Sequence, residues 1–138
     1  MPELIVDAMN VIGSRPDGWW RDREGAVRTL LARLQVLAAE SGETIVLVSD
    51  GRPLEDVPEG DYDGVKMVYA TKRGRDAADD RVVEVVKGLA DASTAKVVTS
   101  DRELSRRVRA LGADAAGARS LWKRLDAIDA KAAPEPSS

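Results

Sequence analysis

Four aspartates stand where short apolar runs end or amphipathic segments begin. Asp7 follows LIV, Asp50 follows IVLVS, Asp79 lies in AADDRVVE, and Asp101 follows VVTS. In an open parallel sheet the ligand crevice lies outside the carboxyl ends of the strands, so acids far apart in the chain can converge there. The stretches between successive acids are each long enough for a crossover helix or an added strand. The pattern points to an acidic metal site. The chain contains neither cysteine nor histidine. That excludes a thiolate nucleophile, a Cys-based zinc site and the imidazole base, and leaves carboxylate chemistry.

The elements that must position these acids alternate between two hydrophobic periods. Glu3 to Val6 and Thr44 to Ser49 are apolar on successive residues, as strands buried on both faces tend to be. Between them, Asp22 to Ser41 carries Val27, Leu30, Leu31, Leu34 and Leu37 at helical spacing, and Gly42 falls where a helix stops. The Gly-, Pro- and acid-rich stretch from Gly51 to Gly64 reads as a loop capping one rim, followed by a strand from Val65 to Ala70. Asp76 to Ala92 places Val82, Val85, Val86 and Leu89 on one helical face, and Ala95 to Thr99 returns as a strand. Leu104, Val108 and Leu111 mark another helix, ended by Gly112. After a short stretch at Asp114 to Ala116, a last helix is expected from Ala118 to Ala130. The fold class is α/β: right-handed crossovers make a three-layer α/β/α sandwich around a mostly parallel sheet the economical architecture.

Composition sets the frame. At 138 residues, with 43% hydrophobic and 33% charged side chains, the chain suits one globular domain. The reading is a single domain over residues 1–130 and a flexible tail over 131–138. The net charge of −3 does not advertise nucleic-acid binding, so any such role must use local basic patches. The N-terminus, MPELIVDAMN, lacks a basic region and a long apolar run, and no stretch approaches the ~20 apolar residues of a membrane span. A cytoplasmic protein without a membrane partner is expected.

Each acid also has a local structural reading. Asp76 suits a helix N-cap, with Asp79 and Asp80 in the first turn at the positive end of the helix dipole. Ser100 followed by Glu103 resembles a capping box, which makes Asp101 an ordinary first-turn acid. Asp50 precedes Gly51 and suits a turn. Asp7 is hardest to explain this way, because a carboxylate directly after a buried strand is costly unless solvated, paired or metal-bound.

Taken together, LIVDAMNVIG, IVLVSDG, the ADD motif opening a helix, and VVTSDRE resemble the NYN-domain proteins of the YacP-like group, within the PIN-like nuclease superfamily. The resemblance runs from about Leu4 to about Leu125. It implies a PIN-like sandwich and an acidic cluster that binds magnesium or manganese and cleaves RNA. Carried over by motif, Asp7, Asp79 and Asp101 are the expected catalytic residues and core metal ligands. Asp50 matches the family's additional acid and Asp80 the second acid of the ADD pair. Asn10 falls at the recurrent Asn that orients a ligand or contacts substrate. Such a donor set suits hard divalent cations, which prefer oxygen ligands, lower the pKa of a bound water and stabilise a leaving oxygen.

A nuclease needs a positive track for the phosphate backbone. Lys72, Arg73 and Arg75, just before the Asp79 helix, and Arg102, just after Asp101, are the candidate substrate-binding residues, with Arg52 a weaker one. Arg106, Arg107 and Arg109 read more simply as a solvated helix face. Trp19 and Trp20 lie in a polar loop after the first strand, where exposed rings can stack on unpaired bases for ~1–3 kcal/mol per base; the alternative is core packing, since with no Phe and two Tyr in the chain at least one Trp is expected to be structural. Trp122 reads as core. The expected function is a metal-dependent endoribonuclease acting on single-stranded RNA, with a ribosome or an RNA–protein complex supplying the affinity that an acidic protein lacks. The alternatives are an RNA- or protein-binding module without cleavage, and an antitoxin-coupled toxin. A phosphatase is disfavoured because Ala8, Met9 and Asn10 follow Asp7 in place of a DxD motif.

Overall fold

In a computed structural model the described residues are 3–50, 53–70 and 77–132. Six strands form one sheet: β1 (Glu3–Asp7), β2 (Thr44–Ser49), β3 (Gly60–Tyr62), β4 (Val65–Tyr69), β5 (Ala95–Val98) and β6 (Asp114–Ala116). Their order is β3-β4-β2-β1-β5-β6, parallel except for β3. The helices are α1 (Ala8–Gly13), α2 (Arg23–Ser41), α3 (Ala77–Lys87), α4 (Arg102–Ala110) and α5 (Ala118–Ala132).

The continuous apolar runs become the sheet interior because both of its faces are covered. Leu4, Val6, Ile45, Leu47 and Met67 pack with Val11, Leu30, Leu34, Leu121 and Leu125, so α1, α2 and α5 cover one face. Ile5, Val46, Val48 and Val97 pack with Val82, Val86, Leu104 and Val108, so α3 and α4 cover the other. This is the expected three-layer α/β/α sandwich. The chain moves outward from β1 to β2 and β4, then returns through α3 to β5 on the other side of β1. The reversal between β1 and β5 is a topological switch point, where open α/β sheets bind ligands.

The structure departs from the sequence reading at short elements. The stretch read as loop contains β3, which pairs antiparallel with β4 through a two-residue Asp63-Gly64 turn. Both turn residues have positive φ, 47° and 90°, the conformation that an Asp-Gly hairpin favours. The rest of that segment is pinned by Tyr69, whose hydroxyl donates to Val57 O (2.6 Å) and accepts from Leu54 N (3.2 Å). The expected helix to Ala92 ends at Lys87, and Ala92–Thr94 forms a separate 3-10 turn capped by Asp91. Trp122 is half-buried at the core rim, because its indole N–H must reach Val11 O (3.2 Å) and Ser14 Oγ (2.8 Å).

Candidate active site at the end of the central strand

Asp7 is the last residue of β1, flanked by β2 and β5, and it is only 5% exposed. Residues alternate faces along a strand, so Asp7 shares the face of Ile5, toward α3 and α4. Both of those helices begin at this end of the sheet, α3 with Asp79 and Asp80 in its first turn and α4 with Asp101 as its N-cap. One aspartate from β1 and one from the start of each helix are thereby gathered at the switch point.

The electrostatics register this convergence. Burial pushes the Asp7 carboxyl up from 3.8 to about 6, the nearby charges of Asp79 and Asp101 push the same way, and the Thr99 hydroxyl and the Asn10 backbone N–H pull it back. Thr99 is the hinge pin of the arrangement. Its hydroxyl donates to Asp7 Oδ2 (3.1 Å) and accepts from the backbone N–H of Asp101 (3.1 Å), while its side chain is buried. Sequence reasoning passed over Thr99, although the TSD motif contains it.

Asp101, and not Ser100, caps α4: its Oδ1 accepts from Leu104 N at 3.0 Å. The capping-box reading fails because the strand's exit places Ser100 elsewhere. The Ser100 N–H donates to Asn10 Oδ1 (2.7 Å), and its hydroxyl accepts from Ala118 N (3.1 Å). Asn10 therefore ties α1 to the loop that presents Asp101. Asp80 pairs with Arg107 across the α3–α4 gap at 3.1 Å, so Arg107 is no purely solvated residue. Asp50 turns toward α2, 3.9 Å from Arg23, and lines a small pocket with Met9, Leu54 and Tyr69. Arg102 is exposed on the first turn of α4 beside Asp101. Lys72, Arg73 and Arg75, with Arg52 and Asp76, lie outside the described residues.

The donor chemistry of Asp7, Asp79 and Asp101 fits a hard divalent cation, since all are carboxylates and like charges have been brought together. Among the described residues, no three acids stand close enough to form a complete metal-holding group as placed.

A mostly parallel α/β/α sandwich with aspartates from β1, α3 and α4 gathered at its switch point defines a domain of the PIN-like, nuclease-type class. The chain belongs to the YacP-like NYN domain family, which it matches over residues 4–137. Its fold is similar to the crystal structure of Rae1 (YacP) from Bacillus subtilis, with a TM-score of 0.76 at 23% identity, over 95% of this chain and 77% of that one. The W164L mutant of the same protein matches with a TM-score of 0.75 at 23% identity, over 95% and 79%. No match is found among curated proteins. No helix among the described residues is long and apolar enough to cross a membrane.

Proposed function

We propose that this domain is a metal-dependent endoribonuclease that cuts single-stranded RNA, including RNA presented within a ribosome or another RNA–protein complex. The observation that carries the reading is the buried Asp7 carboxyl, raised to about 6, with the charges of Asp79 and Asp101 close enough to contribute. A fold stabilises itself by separating or pairing such groups, so this grouping supports a site that awaits positive charge. Asp7, Asp79 and Asp101 would hold a magnesium or manganese ion, with Asp50 and Asp80 in outer positions beside their arginines. When bound, such an ion polarises a phosphoryl oxygen and lowers the pKa of water. Thr99 fixes the Asp7 carboxylate toward the crevice, the cap at Leu104 leaves Asp101 Oδ2 for a ligand, and Asn10 holds the Ser100 loop in register. Arg102, exposed beside Asp101, would meet a phosphate next to the acids.

The second reading is an RNA-binding module that does not cleave. It is favoured by one observation, the lack of a complete three-acid metal group among the described residues. Labelled single-stranded RNA incubated with manganese, magnesium or EDTA separates the two, comparing wild type with Asp7→Asn and Asp101→Asn. Asn is itself a good N-cap, so the second variant retains α4. Cleavage that needs metal and disappears in both folded variants is expected. Equal cleavage in all three proteins, or none in the wild type, overturns the nuclease reading.

A further inference from the structure

A cavity runs along α5, which covers the face of the sheet opposite α3 and α4. Ser100, the neighbour of Asp101, accepts from the N–H of Ala118, so the start of α5 lies beside the loop that presents Asp101. The cavity, open and about 750 Å³, follows the first turns of α5 past Arg119 and Lys123 to Trp122 and to Arg15 with its partner Asp126. On the far side of Trp122 a narrower slot of about 230 Å³ runs between the Trp122 and Trp19 side chains. Arg15 borders both cavities, its guanidinium 4.1 Å from the centre of the Trp122 ring.

The chemistry of this groove differs from that of the molecule as a whole. The chain is negative overall, yet Arg119 and Lys123, one helical turn apart, are exposed and enter no ion pair among the described residues. They point to a polyanion. Trp19, the guanidinium plane of Arg15 and the 55% exposed Trp20 beyond them add flat surfaces. An acidic peptide would satisfy the two cations and leave those planes unused. Phosphates alternating with unpaired bases use both.

We propose that this groove seats the single-stranded RNA flanking the cleaved bond, with Arg119 and Lys123 on its phosphates and the Trp19–Arg15 slot taking a base. The proposal rests on the ribonuclease reading for the position of the cut, and it locates substrate affinity on α5, away from the acids. Its test is binding of a labelled single-stranded RNA in EDTA across a salt series, with wild type, the double variant Arg119→Ala/Lys123→Ala, and a control, Lys66→Ala/Lys87→Ala, on the α3 side of the sheet. Each lost phosphate contact removes about 0.7 from the slope of log affinity against log salt, so the groove variant should lose about 1.4 and bind at least ~10-fold more weakly. The control should match wild type. Trp19→Ala should weaken binding with the salt slope unchanged.

Wild-type affinity and slope in the groove variant, an equal loss in the control, or no RNA binding by the wild type each overturns the groove. Because binding is read without metal, the two readings fail separately. Groove-dependent binding without cleavage in manganese leaves the groove and removes the nuclease; cleavage with groove-independent binding does the reverse.

Discussion

Asp7 and Asp126 experience opposite electrostatics. Asp126, exposed on α5, lies between Arg15 (2.5 Å) and Arg33 (3.1 Å), and their hydrogen bonds hold its carboxyl below the ordinary range. Asp7, buried at the end of β1, has carboxylates for charged company and is pushed up. Among the described residues, arginines pair with acids that need no help from burial, and none forms an ion pair with the acid that does. Arg107, on α4, is engaged with Asp80. What the contrast teaches is that Asp7 is held at a cost to stability, the usual signature of a group retained for chemistry.

The largest expected effect comes from Asp7→Asn. It should abolish metal-dependent cleavage, by ~10³-fold or more if the carboxylate anchors the charge-stabilising centre, while raising the stability of the metal-free fold. An Asn keeps an acceptor for Thr99 and removes the charge. With the carboxyl at about 6 in place of 3.8, the ionised group costs on the order of 3 kcal/mol at neutral pH. A less stable variant at pH 7.5 in urea melts would break the comparison.

The pH dependence sharpens it. Below about pH 3.8 the Asp7 carboxyl is protonated in both folded and unfolded chains, and it makes no difference between them. Between 3.8 and about 6 the folded form binds the extra proton, so this contribution to stability falls as pH rises, and above about 6 the full penalty is present. The gap between Asp7→Asn and wild type should thus vanish near pH 4 and be complete by about pH 7. Added manganese should raise the melting temperature of the wild type at pH 7.5 and do so much less for the variant.

Thr99→Val is the intermediate case. It severs the link from Asp7 to the Asp101 backbone without changing size, and should cost about 1–2 kcal/mol in stability and ~10–100-fold in cleavage, with Asp7 titrating still higher. The smallest effect belongs to Asp126→Asn, which should leave melting within experimental error, as expected of a solvent-screened pair. A large loss there would mean that the arginine cluster, and not the acid crevice, organises the site.

Much of this was legible in the chain because it depends on local pattern. The runs LIV and IVLVS announce strands covered on both faces, Gly42 ends α2 in a left-handed conformation, and acids at such ends mark the crevice. Less legible were elements too short to show a period. The six residues of α1 make less than two turns of helix, and the three of β3 barely more than one alternation. TSDRE offers two capping spacings for α4, from Ser100 and from Asp101, and only the pairing of Ser100 with Asn10 and Ala118 decides between them. The partners of Asp80 and Asp50 are supplied by tertiary packing, with Arg107 far along the chain and Arg23 on a different layer.

β1 is paired on both sides along its length, to β2 and to β5. Its amides can meet solvent only when the whole sheet parts, so they should exchange hydrogen at the rate set by global unfolding, whereas the first turns of α3 and α4 are free to fray. The site thus has one immovable wall and two that can breathe. Asp7 supplies the fixed point, and any adjustment of the crevice is left to the helix starts.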